Sequence, residues 1–288
     1  MLIIMKRFLR ARNMKFADIP NFILGMLFAI VWVAPFIWMA STSFKPVKDV
    51  MTPYVEWFPR TWVLDNYLKV FQSPVAMWAL NSLIVAITAT AFGVGLGAMA
   101  GYGLARLHFP GRNAIFSLLL GSLMIPSETF IIPLFIAFLK IRLIDSYLAI
   151  VLPSIASVIS VYIFRQFFIS LPQELEDAAE IDGANRFQAF VMVALPLARA
   201  PAIATTILLF TSNWNAFLWP LLIVFTGKMK TMPVGLAQYA PVIGTNTQIE
   251  GFGPAMAGVT LLTIPSVLIF VLLQNFFIEG VTRTGIKG

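Results

Sequence analysis

The chain has 288 residues, 59% of them hydrophobic and only 11% charged, with a mean hydropathy of +0.86. Soluble domains carry roughly 25% charged residues, so a water-covered globule is excluded and an integral membrane protein is implied. The net charge of +7 comes from 20 Lys and Arg against 13 Asp and Glu; membrane topology and anionic lipid account for such an excess, and nucleic-acid binding is not needed to explain it.

Charge-free windows run 19–44, 70–105, 146–164, 200–227 and 251–278, and 113–139 is interrupted only by Glu128. A membrane-spanning helix needs about 20 apolar residues, so six spans are expected, at about 22–43, 77–102, 114–139, 147–164, 202–225 and 255–277. The first apolar stretch is longer than the core of a cleaved signal peptide, which makes it a helix. A seventh window, 231–249, holds Pro233, Gln238, Pro241, Gly244 and Asn246 and is too polar and broken to span, so it reads as a loop. Six spans put both termini on one side. The basic cluster Lys6, Arg7, Arg10, Arg12 and Lys15 beside the first helix places that side in the cytoplasm. The fold class is therefore all-α and polytopic, with 1–288 forming one membrane domain in a bilayer.

In the second helix Gly93, Gly97 and Gly101 recur every four residues. They share a face and allow another helix to approach closely; a pore lining would use the same residues. The third helix carries Pro126 and Pro133, which remove backbone donors and kink it, with the lone intramembrane acid Glu128 between them. A carboxylate at such depth points to function, or to a hydrated position near the surface. Polar groups inside spans must face protein or water. Asn81, Ser127, Glu128, Asn213 and Asn215 are accordingly candidates for a polar pathway, and Trp214 and Trp219 could stack on the apolar face of a sugar. Interhelical hydrogen bonding is the competing role for each except Glu128.

Chemistry is sparse. One histidine, His108, and no cysteine leave no metal cluster and no thiol. A phosphate-cradling Gly-rich loop ending in Gly-Lys-Ser/Thr is missing, and no acid–base pair or nucleophile triad stands out. No catalytic residue and no bound cofactor are expected.

Between Ser170 and Pro201 runs SLPQELEDAAEIDGANRFQAFVMVALPLARAP, a polar, acidic segment between two apolar ones. Pro172 fits the first turn of a helix capped by Ser170 or Leu171, and Glu174, Glu176 and Asp177 follow where the helix dipole favours negative charge. Gly183 breaks this helix from a second, about 185–194, which presents Phe187, Phe190 and Val191 and is ended by Leu195-Pro196. An amphipathic helix lying on lipid would carry basic residues on its polar face. Here Glu174, Glu176, Asp177, Glu180 and Asp182 outnumber Arg186 and Arg199, which favours docking into a protein cleft.

The spacing of Asp177-Ala178-Ala179, Gly183 and Leu195-Pro196 resembles the signature of permease subunits of binding-protein-dependent ABC importers, with aspartate where the family has glutamate. Gly101–Arg112 is similar to the family's cytoplasmic turn, 214–220 (WNAFLWP) to its helix 5 motif and Gly280–Gly288 to its tail, as in the smaller permease of maltose-type carbohydrate systems. The resemblance implies that segment 170–196 forms coupling helices seated in an ATPase subunit, through Glu176, Asp177, Ala178, Ala179, Asp182, Gly183, Ala184, Phe187, Leu195 and Pro196. It further implies an ATPase dimer that binds ATP and magnesium, a second homologous permease, an extracytoplasmic solute-binding protein facing loop 226–253, a carbohydrate substrate, and residence in a bacterial or archaeal cytoplasmic membrane. The tail 279–288 is expected to reach the ATPase interface. The alternative is an ion-coupled secondary transporter working through Glu128, which would show repeat symmetry and more intramembrane charge.

Overall fold

A computed structural model describes residues 19–50, 54, 56–241 and 251–284, with side chains as far as Gln274. Its helices are α1 (Ile19–Thr42), α2 (Asp65–Phe71), α3 (Val75–Arg106), α4 (Arg112–Ser122), α5 (Ile131–Lys140), α6 (Tyr147–Ile155), α7 (Val158–Ser170), α8 (Glu174–Ile181), α9 (Arg186–Leu197), α10 (Arg199–Trp214), α11 (Leu218–Ile223), α12 (Met232–Leu236) and α13 (Phe252–Thr284). The basic N-terminal cluster, residues 242–250 of the expected receptor-facing loop and the last four residues of the tail lie outside the described residues. The contacts group into two compact units, one of residues 1–70 and 239–260, the other of 71–238 and 261–288.

In the first unit α1 leaves its whole apolar length uncovered, as a helix solvated by lipid can. Its end is tied down. The buried Asn66 donates to the carbonyls of Ser43 (2.9 Å) and Lys45 (2.8 Å), and the Ser43 hydroxyl meets Tyr67 Oη at 2.8 Å. Trp38 stands edge-on to Phe252, ring centres 6.3 Å apart. Lys45 is buried against the Trp38 ring, with Nζ donating to the Glu56 carbonyl. Burial holds its ammonium below the usual lysine range, against the opposing pull of Glu56 and Asp49.

The second unit is organised by α3, which packs against α6, α7, α10 and α12. The glycine repeat is the reason it can. A Cβ on Gly97 would strike the Ser160 side chain of α7. One on Gly101 would sit 2.8 Å from Phe164 Cβ and 2.9 Å from the Arg165 nitrogen, and one on Gly93 2.8 Å from Leu209 of α10. Ser160 Oγ then donates to the Gly93 carbonyl at 2.9 Å. All three glycines pack helix on helix, so the close-approach reading holds. At the start of α3, Trp78 Nε1 donates to the Gly227 carbonyl (3.2 Å), Asn81 Nδ2 to those of Lys228 (2.7 Å) and Lys230 (2.9 Å), and Ser82 Oγ accepts from Met232 N (2.8 Å). This clasp folds part of the window expected to be loop into α12, whose Gly235 lies against the Trp78 ring.

Several spans are segmented, the third at Pro126, one of the two prolines expected to interrupt it. The expected 114–139 span breaks at residues 123–126 and turns through 95° into a 3₁₀ turn and α5. Pro126 causes the break, whereas Pro133 falls in the first turn of α5, where no N–H is needed. The expected 147–164 span is extended by α7 to Ser170 after a second capped start at Ser157, whose Oγ accepts from Ser160 N. The expected 202–225 span stops at Trp214 and resumes as α11. The last helix runs longer than expected, from Phe252 through Thr284. Among the described residues four helices are long and apolar enough to cross a membrane, or six spans if each of two bent pairs is one.

The α5–α6 turn is fastened to residues 223–226. Asp145 N donates to the Ile223 carbonyl (2.9 Å), and Asp145 Oδ1 accepts from Phe225 N (3.0 Å), Thr226 N (3.1 Å) and Thr226 Oγ1 (3.1 Å). Partial burial works to raise the carboxyl's pKa. The N–H groups of Thr226 and Phe225 and the Thr226 hydroxyl outweigh it and hold the pKa below the ordinary value.

Two outcomes are expected. Gly97→Val should lower the detergent-solubilised protein's thermal stability by about 1–3 kcal/mol or prevent folding, while Gly95→Val, where a Cβ meets nothing within 4 Å, stays close to the parent; equal melting points would refute the packing role. Because the Asp145 pKa is depressed on folding, its stabilisation is full above the ordinary carboxylate value of about 3.9 and fades as pH falls through the depressed one. The stability gap between parent and Asp145→Asn should therefore be constant from pH 5 upward and close in more acidic solution.

Candidate functional site

The acidic segment folds as an elbow. Pro172 stands just outside the first helix, and Gln173 is its N-cap, so α8 begins at Glu174, slightly later than expected. Glu174, Glu176 and Asp177 lie in its first turn, where unpaired N–H groups and the helix dipole favour carboxylates. Gly183 takes φ +91°, a left-handed conformation that costs a side-chain-bearing residue about 1–2 kcal/mol, and breaks the chain as expected. Asn185 then caps α9 reciprocally: its Oδ1 accepts from Gln188 N at 2.9 Å, and Gln188 Oε1 accepts from Asn185 N at 2.8 Å. Leu195-Pro196 does not end this helix, as had been expected. A π turn at Phe190–Ala194 precedes it and α9 continues to Leu197. The wider π turn leaves room for a proline ring that would clash in a regular helix.

The two faces of the elbow differ. Asp177, Ala178, Asp182, Gly183, Phe187, Leu195 and Pro196 are exposed, and Ala179 and Ala184 half-buried. Phe187 is 65% exposed and Ile181, which the sequence reading passed over, 86%, so the outer face is apolar patches among carboxylates. Phe190 lies beside Phe187 as expected, ring centres 6.4 Å apart, but is buried, packing with Ala194 against Tyr102, Phe164 and Phe168; its ring lies 4.8 Å from that of Tyr102.

Glu176 also turns inward. It is 8% exposed, the one acidic residue that is buried among the described residues. Its Oε2 accepts from Tyr102 Oη at 2.9 Å and its Oε1 from Arg106 Nε at 2.8 Å, while Arg106 Nη2 donates to the Leu171 carbonyl at 2.7 Å. Tyr102 and Arg106 sit one turn apart on one face of α3 and were not singled out as site residues. Their four-residue spacing opposite an acid-rich segment was the available signal. A polar cavity of about 210 Å³ opens beside them, lined among others by Arg106, His108, Arg112, Asp177, Glu180 and Arg186.

The pathway candidates scatter. Asn81 is 2% exposed and fully engaged, donating to the two lysine carbonyls and accepting from Tyr147 Oη at 2.6 Å. Trp214 is 2% exposed and donates to the Leu262 carbonyl at 2.8 Å. Trp219 donates to the Ala149 carbonyl at 3.0 Å and packs edge-on to Phe138. Asn215 donates to the Thr211 carbonyl (2.8 Å) and lies 3.4 Å from Ser266 Oγ. Asn213 is half-buried in the last turn of α10. Ser127 and Glu128 lie exposed in the turn between α4 and α5, joined to each other at 3.1 Å. Asn213, Trp214, Asn215 and Trp219 thus gather around the α10–α11 break, while Asn81 is spent on the clasp. No group of acidic, histidine or cysteine side chains among the described residues could hold a metal.

Comparison with known proteins gives this geometry a family. The model of the binding-protein-dependent transport system inner membrane component matches residues 93–283. The chain is 36% identical over 264 residues to the arabinooligosaccharides transport system permease protein of Halalkalibacterium halodurans, covering 90% of this chain and 93% of that one. It is 34% identical to the trehalose transport system permease protein of Mycobacterium tuberculosis, covering 88% and 92%. It is also 34% identical to an sn-glycerol-3-phosphate transport system permease protein of Yersinia pestis, covering 72% and 73%. A solved chain of a bacterial ABC transporter involved in the import of the acidic polysaccharide alginate shares the fold, with a TM-score of 0.77 over 93% of this chain and all of that one at 20% identity. The protein is therefore a multi-pass membrane permease of the binding-protein-dependent transport system inner membrane component family.

Proposed function

We propose that the chain is the translocating, non-catalytic subunit of an ATP-driven carbohydrate importer. The observation that carries this reading is the elbow of α8 and α9: carboxylates and exposed apolar residues face outward, where a protein cleft would cover them. An exposed Ile181 and Phe187 beside four exposed acidic residues suit neither water nor the surface of an anionic membrane. The names of the relatives, which handle arabinooligosaccharides, trehalose and glycerol phosphate, support a sugar or sugar-like substrate.

In this reading the elbow lies in the cytoplasm and is gripped by one subunit of an ATPase dimer, which binds ATP and magnesium. Both termini are cytoplasmic, and the membrane is the cytoplasmic one. A second, homologous permease completes the pathway, and a solute-binding protein delivers substrate to the opposite end, where the 223–232 segment is clasped to α3. Nucleotide-driven closure of the ATPase moves the elbow, and the bundle exchanges inward- and outward-facing arrangements. Among the pathway candidates, Asn213 and Asn215 at the α10–α11 break are the residues best placed to meet sugar hydroxyls, since the polar groups of Asn81, Trp214 and Trp219 are satisfied within the chain.

The test is uptake by proteoliposomes holding the full assembly. Gly183→Leu should cut uptake about tenfold or abolish ATPase binding, because a left-handed backbone disfavours a branched side chain, while Gly183→Asn should be milder; normal uptake by the leucine variant would refute the docking role. Uptake should also persist when proton and sodium gradients are collapsed and in Glu128→Gln. Dependence on either gradient would instead favour ion coupling through Glu128.

A further inference from the structure

We propose that Tyr102, Arg106 and Glu176 form the joint that delivers movement of the elbow to α3, so that they are positioning residues for transport, while the exposed residues of the elbow form the ATPase contact. The proposal rests on the importer reading above and concerns how that importer transmits force. The acidic side chains of the elbow are not equivalent. Glu174, Asp177, Glu180 and Asp182 are exposed, and the Glu180–Arg186 pair is loose, at 3.7 Å. Glu176 alone among them is withdrawn from water, with both carboxylate oxygens occupied by α3 donors at 2.9 and 2.8 Å. Arg106 spends a second nitrogen on the Leu171 carbonyl at 2.7 Å, just past the end of α7. One side chain of α3 therefore holds both the start of the elbow and the helix that leads into it.

Tyr102 repeats the pattern by packing. Its hydroxyl binds Glu176 of α8, and its ring meets Phe190 of α9 at 4.8 Å and Phe168 of α7 at 5.4 Å. Both halves of the elbow thus converge on one residue of the helix that touches α6, α7, α10 and α12. Besides this joint, the elbow reaches the bundle through the packing of Phe190 and Ala194 on α7 and through its chain connections: residues 171–173 on one side, and on the other the break at Ala198, where α9 and α10 meet at 76°. A buried carboxylate held by a guanidinium and a phenol is short and directional, and losing either partner leaves the other buried without compensation.

The experiment uses the complete transporter in proteoliposomes and reads substrate accumulated per ATP hydrolysed, alongside ATPase recovered with the permease. Glu176→Gln should lower the yield per ATP about tenfold, the scale of one buried coupling, and Tyr102→Phe about threefold, the scale of one hydrogen bond. The concentration of binding protein giving half-maximal uptake should stay unchanged. Arg106→Lys, which keeps the charge, should recover part of the loss shown by Arg106→Gln. Yields per ATP equal to the parent in Glu176→Gln and Tyr102→Phe would overturn the joint. So would ATPase lost from Tyr102→Phe with normal yield per assembled complex, which would make these residues a docking contact. Should Glu176→Gln fail to fold, Tyr102→Phe leaves no charge unpaired and decides by the same criterion. Failure of the importer reading is separate: the parent assembly would then not accumulate substrate with ATP.

Discussion

The arrangement of this protein depends on one desolvated carboxylate. Glu176 lies in a segment whose other acidic residues are exposed, and removing a carboxylate from water is costly unless opposite charge and hydrogen bonds replace the lost solvent. Tyr102 and Arg106 supply both. They can do so only when the last turns of α3 are helical and in register with α7, since Arg106 also needs the Leu171 carbonyl. The position of the elbow therefore depends on the packed bundle core. Its α9 half obeys the same condition, because Phe190 and Ala194 pack into the cluster that contains Tyr102 and Phe168.

The helix that carries this joint is held along its length by different physics at different depths. At one end polar side chains do the work: Trp78, Asn81 and Ser82 bind backbone groups of residues 227–232. Such bonds satisfy carbonyls that an irregular segment would otherwise leave unpaired. In the middle close packing dominates, with one hydrogen bond, from Ser160 Oγ to the Gly93 carbonyl. The glycines bring α3 against α7 and α10 so closely that dispersion contacts replace the absent hydrophobic drive between helices in lipid. At the far end the ionic joint takes over. A helix of 32 residues fixed in this way behaves as a rod linking the two ends of its unit.

Two of the other expected spans, 114–139 and 202–225, are interrupted, and the interruptions carry polar groups. Ser127 and Glu128 fall in the turn between α4 and α5, and Asn213 and Asn215 where α10 stops. Broken helices inside a membrane are tolerated where the freed backbone is covered by protein or lines a wet cavity. The division between a continuous rod and segmented neighbours fits a protein whose parts must shift against one another.

The apolar spans, up to six among the described residues, the glycine face and the break at Gly183 followed from the amino-acid sequence, because each is a local property: the length of apolar windows, a four-residue period, a residue with no Cβ. The acidic character of the elbow was legible for the same reason. What only the tertiary structure decided is which way each side chain of the elbow turns. Glu176 and Asp177 are neighbours with nearly identical chemistry, yet one is buried in an ionic joint and the other exposed, because only one position faces α3. Asn81 suited either a pathway or interhelical hydrogen bonding, and the choice was made by carbonyls 147 and 149 residues further along the chain. Pro196 continues its helix, and Pro126 ends one, according to whether the preceding backbone widens into a π turn. Pairings between distant segments are set by packing, which a one-dimensional period does not contain.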